Sequence, residues 1–97
     1  MTLAFYDRAG NRVSALEALP MFSNQKVCSD DIAGYGVSTM HLVASRGRSL
    51  TNRPLIFETM VFSPEGEPLG RPIRTATIEG ALAVHNDICR SIRVRLS

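Results

Sequence analysis

Two histidines and one acid are the side chains whose types could do chemistry. Glu58 stands inside PLIFETMVF, residues 54 to 62, with Ile56 and Met60 as its neighbours at a spacing of two. A carboxylate buried there has a raised pKa, which is how a general acid is made. His41 lies in GVSTMHLVA and His85 in a helical stretch further on. Two imidazoles and a carboxylate would suit a metal ion or proton transfer. Against this, no second carboxylate stands at a defined spacing from Glu58. The simpler expectation is that Glu58 pairs with an Arg or His across the sheet, and that His85 is a core-edge histidine satisfied by a hydrogen bond.

Other chemical signatures are weaker. No GxSxG elbow surrounds a serine, and Gly34-Tyr35-Gly36 lacks the lysine and helix of a phosphate loop. The two cysteines, Cys28 and Cys89, form no CxxC and have no neighbouring histidine cluster. The spacing therefore gives no structural zinc signature, and the expectation is two buried free thiols, no metal and no cofactor. Lys26 is the only lysine among 11 basic residues, the others being arginine. Arg46, Arg48 and Arg53 share one loop, Arg71 and Arg74 flank the next segment, and Arg90, Arg93 and Arg95 fall near the end. Forked guanidinium donors suit phosphate or carboxylate. Yet Tyr6 and Tyr35 are not interleaved with the basic loop as a stacking platform requires. A formal charge of +2 is also too small to argue for nucleic acid by itself.

The elements that must position these residues follow from pattern. The length of 97 residues suits one domain, 1–97. Hydrophobic and charged contents of 44% and 21% are ordinary for a globular chain and exclude wholesale disorder. No apolar run approaches the roughly 20 residues of a membrane span, and MTLAFYDRAG has no signal-peptide pattern, so a cytoplasmic location is expected.

Leu3–Tyr6 reads as a strand and Asp7–Asn11 as a turn. Ser14-Ala15-Leu16-Glu17 fits a capping box. The short helix after it places Leu16, Leu19 and Phe22 near one face, and Pro20 makes it distorted or partly 3₁₀. Strands follow at 25–29, ended by Asp30-Asp31, at 36–44, and at 54–62. In the second, Val37, Thr39, His41 and Val43 alternate with Ser38, Met40, Leu42 and Ala44. In the third, both faces are largely apolar, so it should be central in the sheet. SPEGEPLGRP reads as a loop and PIRTAT as a short edge strand. Thr77 caps a final helix, with Glu79 in its first turn and Ile78, Leu82, His85, Ile88 or Cys89, and Ile92 at helical spacing. Residues 92–97 alternate and read as strand-like or frayed. Consecutive strands without βαβ alternation predict an α+β fold. The sheet is an antiparallel meander of about four or five strands, with the C-terminal helix packed on one face and a short N-terminal helix.

YDRAGN near the start, VSTMHL in the middle, FETMVF after it and a Thr-capped helix carrying ALAVH occur in an order with a known counterpart. On these residues the chain resembles a family of small uncharacterised proteins of bacteriophage genomes and other mobile DNA, such as integron gene cassettes. The likeness covers roughly residues 5 to 92; the chain departs from the family pattern at Ser63–Pro68 and at Pro20. The resemblance implies an origin in a mobile element and transfers no activity. The functional expectation is a non-catalytic accessory protein that binds a partner protein through the loop Ser45–Arg53 or the acidic turn Ser63–Gly70. One helix cannot cover both faces of the sheet, so a homodimer is also expected. Nucleic-acid binding through the arginines, and a small enzyme or ligand-binding fold using Glu58, His41 and His85, are the alternatives.

Overall fold

The computed structural model describes residues 3–45 and 47–97; Arg46 lies outside the described residues. The order is β1 Phe5–Tyr6, β2 Arg12–Val13, α1 Ala15–Ala18, a 3₁₀ turn Leu19–Ser23, β3 Lys26–Ile32, β4 Tyr35–His41, β5 Phe57–Phe62, β6 Pro68–Thr75 and α2 Ile78–Leu96. Strands β3-β4-β5-β6 form one antiparallel meander in chain order, and β1 and β2 form a separate ribbon. The fold is α+β, as the sequence pattern predicts, and β5 is indeed an inner strand.

Local chemistry explains the joints. The first helix opens with the expected capping box: Ser14 Oγ accepts from the Glu17 amide at 3.2 Å, and Glu17 Oε1 accepts from the Ser14 amide at 3.1 Å. Pro20 falls inside the 3₁₀ turn, where its missing N–H costs little. The strand at 25–29 does not stop at Asp30-Asp31. It runs to Ile32 and turns through Ala33 and Gly34, with φ of 52° and 93°. Two positive φ values make the primed hairpin turn that matches strand twist. Asp31 Oδ1 accepts the Gly34 amide at 3.0 Å, so the acid serves the turn.

Several boundaries differ from the sequence reading. β4 ends at His41, because Val43 adopts φ of 69° and breaks the ladder. β5 begins at Phe57, three residues after Pro54. Only Ser63–Glu67 forms the connection after β5; Pro68–Gly70 already belong to an eight-residue edge strand. Residues 92–96 continue α2, since an unbroken ladder of i to i−4 hydrogen bonds outweighs their alternation.

Register decides which side chains share a face. Val37, Thr39 and His41 of β4 pair with Val61, Thr59 and Phe57 of β5, and this face lies under α2. Helix α2 buries Ala81, His85 and Cys89 against it. The core at one end joins Tyr6, Ile56, Phe57 and Ala81, with Ala4, Val27 and Ile78 packed around them. Met40, Glu58, Met60 and Phe62 occupy the opposite, helix-free face and are partly buried. The first helix turns its large apolar side chains outward. Its buried residue is Ala18, while Leu16, Leu19 and Phe22 are 81%, 62% and 44% exposed. No helix among the described residues is long and apolar enough to cross a membrane.

Candidate functional site: a buried Thr–Thr–His–Asp chain

The sheet and α2 enclose a continuous line of polar side chains. Thr59 and Thr39 are cross-strand partners on β5 and β4, and their hydroxyls lie 2.7 Å apart. Thr39 Oγ1 lies 2.7 Å from His85 Nδ1, and His85 Nε2 lies 2.7 Å from Asp30 Oδ2. Thr39, Thr59 and His85 are buried; the Asp30 side chain, on edge strand β3, is 42% exposed. One assignment satisfies every link: Thr59 donates to Thr39, Thr39 donates to Nδ1, and Nε2–H donates to the ionised Asp30. The line thus carries a buried histidine out to water through one carboxylate.

Asp30 Oδ2 gathers two more groups. The Cys28 and Cys89 sulfurs stand 3.7 Å and 3.8 Å from it. Cys28 sits two residues before Asp30 on β3, and Cys89 one helical turn after His85 on α2. The His85 hydrogen bond is the largest influence on Asp30 and holds its carboxyl below the ordinary value. Burial, with the Asp30 charge second, pushes both thiols up. Cys89 is buried as expected, whereas Cys28 is only partly so, because an edge strand leaves one side open. The Cys28, Asp30 and His85 donor atoms all lie within 4.8 Å of one another.

The trio of His41, His85 and Glu58 is not assembled. Glu58 pairs in register with Met40 and Arg74 on the helix-free face, away from both histidines. There Arg74 Nε donates to Glu58 Oε2 at 3.1 Å, and the Glu58 side chain is 13% exposed. The carboxylate in the apolar strand is therefore a paired, partly wet residue, the simpler of the two expectations. His41 shares the inner face with His85, but both nitrogens of His85 are engaged elsewhere. The His41 ring lies against Phe57, with centroids 5.4 Å apart, and its buried Nε2 has no partner among the described residues. It closes the bottom of a cleft of about 360 Å³ lined by Asp7, Arg8, Glu17 and Met21. Burial lowers the His41 pKa, partly opposed by the Tyr6 backbone.

Four of the nine described arginines, Arg8, Arg48, Arg74 and Arg90, donate to groups of the chain itself. Arg48 donates to the Asn52 carbonyl at 3.0 Å and so closes its own loop. Arg8 clamps the Asn24 and Lys26 carbonyls, and Arg90 pairs with Asp87. Arg53 lines neighbouring clefts with Thr77 at the start of α2. Sequence reasoning found His85 but missed Asp30, Thr39, Thr59 and the two cysteines as its neighbours. The available signal was parity: Cys28 and Asp30 share a strand face, and His85 and Cys89 share a helix face.

No family model matches the chain, and neither the curated proteins nor the solved structures contain a match.

Proposed function

We propose that this chain is a non-catalytic protein-binding module, an accessory protein of the kind implied by its resemblance to mobile-element proteins. One observation carries the reading. Leu16, Leu19 and Phe22, three residues apart in chain order, expose their side chains on a segment that its own capping box holds in place. Large apolar side chains clustered on a fixed surface mark an interaction site more often than chance exposure. Phe5 packs edge-on against Phe22, with centroids 6.2 Å apart, and stiffens the patch from below. The triad-like line supports the same reading, because Thr39 is fully buried at 0% exposure and offers no substrate a path to its hydroxyl.

The partner is a protein, and a second copy of the chain is the first to test. Sedimentation of the wild type beside a Leu16→Ser, Leu19→Ser variant reads self-association. Affinity capture from lysate, with nuclease and with both baits, reads other proteins. A self-association or a captured protein lost in the variant is the expected result. Identical sedimentation and identical captured proteins for the two baits would refute the patch as a binding surface.

Nucleic-acid binding is carried less far, because Arg48, Arg74 and Arg90 already donate to groups of the chain itself. Retention on DNA at low salt, lost steeply as salt rises, would transfer the reading to the arginines.

A further inference from the structure

We propose that Cys28, Asp30 and His85 bind a zinc ion at the junction of β3 and α2, with the fourth position left for water or for Cys89 one helical turn along α2. This goes beyond the binding role and does not depend on it. The donor types are thiolate, imidazole and carboxylate, all of which are established zinc ligands. The scaffold supplies them in two rigid pairs. Cys28 and Asp30 alternate onto one strand face, and His85 and Cys89 stand four residues apart on one helix face. Cys28, Asp30 and His85 reach a common point because strand and helix are packed together.

The three donor atoms of Cys28, Asp30 and His85 lie within 4.8 Å of one another, near the spacing that zinc requires. Ligands at 2.0–2.3 Å from a tetrahedral zinc stand about 3.3–3.8 Å apart. Cys28 Sγ and Cys89 Sγ already lie 3.7 Å and 3.8 Å from Asp30 Oδ2. His85 Nε2 and Asp30 Oδ2, now hydrogen-bonded at 2.7 Å, must separate by roughly half an ångström to admit the ion. Asp30 is the partner with room to move, being part-exposed at 42%.

The Thr39–Thr59 pair is what suits His85 to the role. A zinc-bound histidine presents Nε2 as a lone pair and donates Nδ1–H to an outer acceptor. Thr39 Oγ1 is that acceptor at 2.7 Å. Its hydroxyl can reverse and donate to Thr59, so the line accommodates either tautomer without moving a heavy atom. The proton count closes. His85 shifts its proton from Nε2 to Nδ1 and loses none, Asp30 is already ionised, and each coordinating thiol releases one proton to solvent. A metal ion deprotonates such thiols outright.

The test uses the full chain, stripped with chelator and kept reduced with a phosphine, titrated with cobalt(II) as the spectroscopic substitute for zinc. One equivalent should give a near-ultraviolet sulfur-to-cobalt band and the visible bands of a tetrahedral ion. Added zinc should erase both and raise the unfolding temperature. Cys28→Ser lies on an edge strand and leaves the fold measurable by circular dichroism. It should weaken cobalt binding about tenfold or more and diminish the sulfur band. Absence of a sulfur-to-cobalt band at excess metal would overturn the proposal. So would an undiminished sulfur band and cobalt affinity in a folded Cys28→Ser variant.

Discussion

Replacing Thr39 by valine changes almost no volume and removes the middle of the buried polar line. Two groups lose their partners: His85 Nδ1 loses its donor, and Thr59 loses its acceptor at 2.7 Å. A buried polar group left unpaired costs about 1–3 kcal/mol. Flipping the His85 tautomer gives no escape, because Asp30 Oδ2 needs the Nε2 proton. Thr59 can rotate in search of a carbonyl, so the two penalties together amount to about 2–4 kcal/mol. Domains of this size have only about 5–15 kcal/mol in total, and the unfolding temperature should fall by about 10 °C or more. Thr39→Ser keeps the hydroxyl and loses one buried methyl, at about 1–1.5 kcal/mol. The two variants separate hydrogen bonding from packing. Urea denaturation followed by circular dichroism, with chelator present, should order them wild type, serine, valine, with equal m-values. A valine variant as stable as the serine variant would refute the claim that this line is a working hydrogen-bond chain.

Further outcomes follow from the same geometry. The His85 hydrogen bond holds Asp30 below its ordinary value of 3.8, so the contribution is present above that pH and is lost as pH falls through the lowered folded value. Stability curves should drop below about pH 4 in the wild type, and that part of the drop should vanish in Asp30→Asn. His41 behaves as a buried base with no partner at Nε2 among the described residues. Its folded pKa lies below 6.5, so the unfolded chain takes up the proton first and stability should decline as pH falls below that value. A His41→Leu variant should show a flatter curve between pH 7 and 5. Glu58→Gln breaks a part-exposed pair with Arg74 and should cost no more than about 1 kcal/mol, leaving one cooperative urea transition. Ala33 carries φ of 52° at the first position of the β3–β4 turn, where asparagine is preferred. Ala33→Asn should therefore stabilise the chain by about 0.5–1 kcal/mol, read from the midpoint of the same titration.

The alternation of GVSTMHLVA and PLIFETMVF, the capping box at Ser14 and the Thr77 cap are local patterns, and each produced the element its period or hydrogen bonds demand. Pattern left open whether Glu58 and His41 share a face; the β4–β5 register, with Met40 opposite Glu58 and His41 opposite Phe57, puts them on opposite faces. The ends of strands were less legible. Whether Asp30-Asp31 stops β3 depends on a turn acceptor for Gly34, and whether β4 continues past His41 depends on the backbone at Val43. The exposure of Leu16, Leu19 and Phe22 was invisible, because helical spacing says that residues share a face and not which face is covered.

The sequence by itself determined an α+β chain with an antiparallel meander, an inner strand at FETMVF and a C-terminal helix bearing His85. Only the tertiary structure decided what His85 meets. Its partners Thr39 and Asp30 lie 46 and 55 residues away along the chain, on two different strands. Neither periodicity nor spacing encodes that meeting. It is set by the rotation at which α2 packs across the sheet, and that rotation is chosen by the fit of Ala81, His85 and Cys89 against the inner face as a whole.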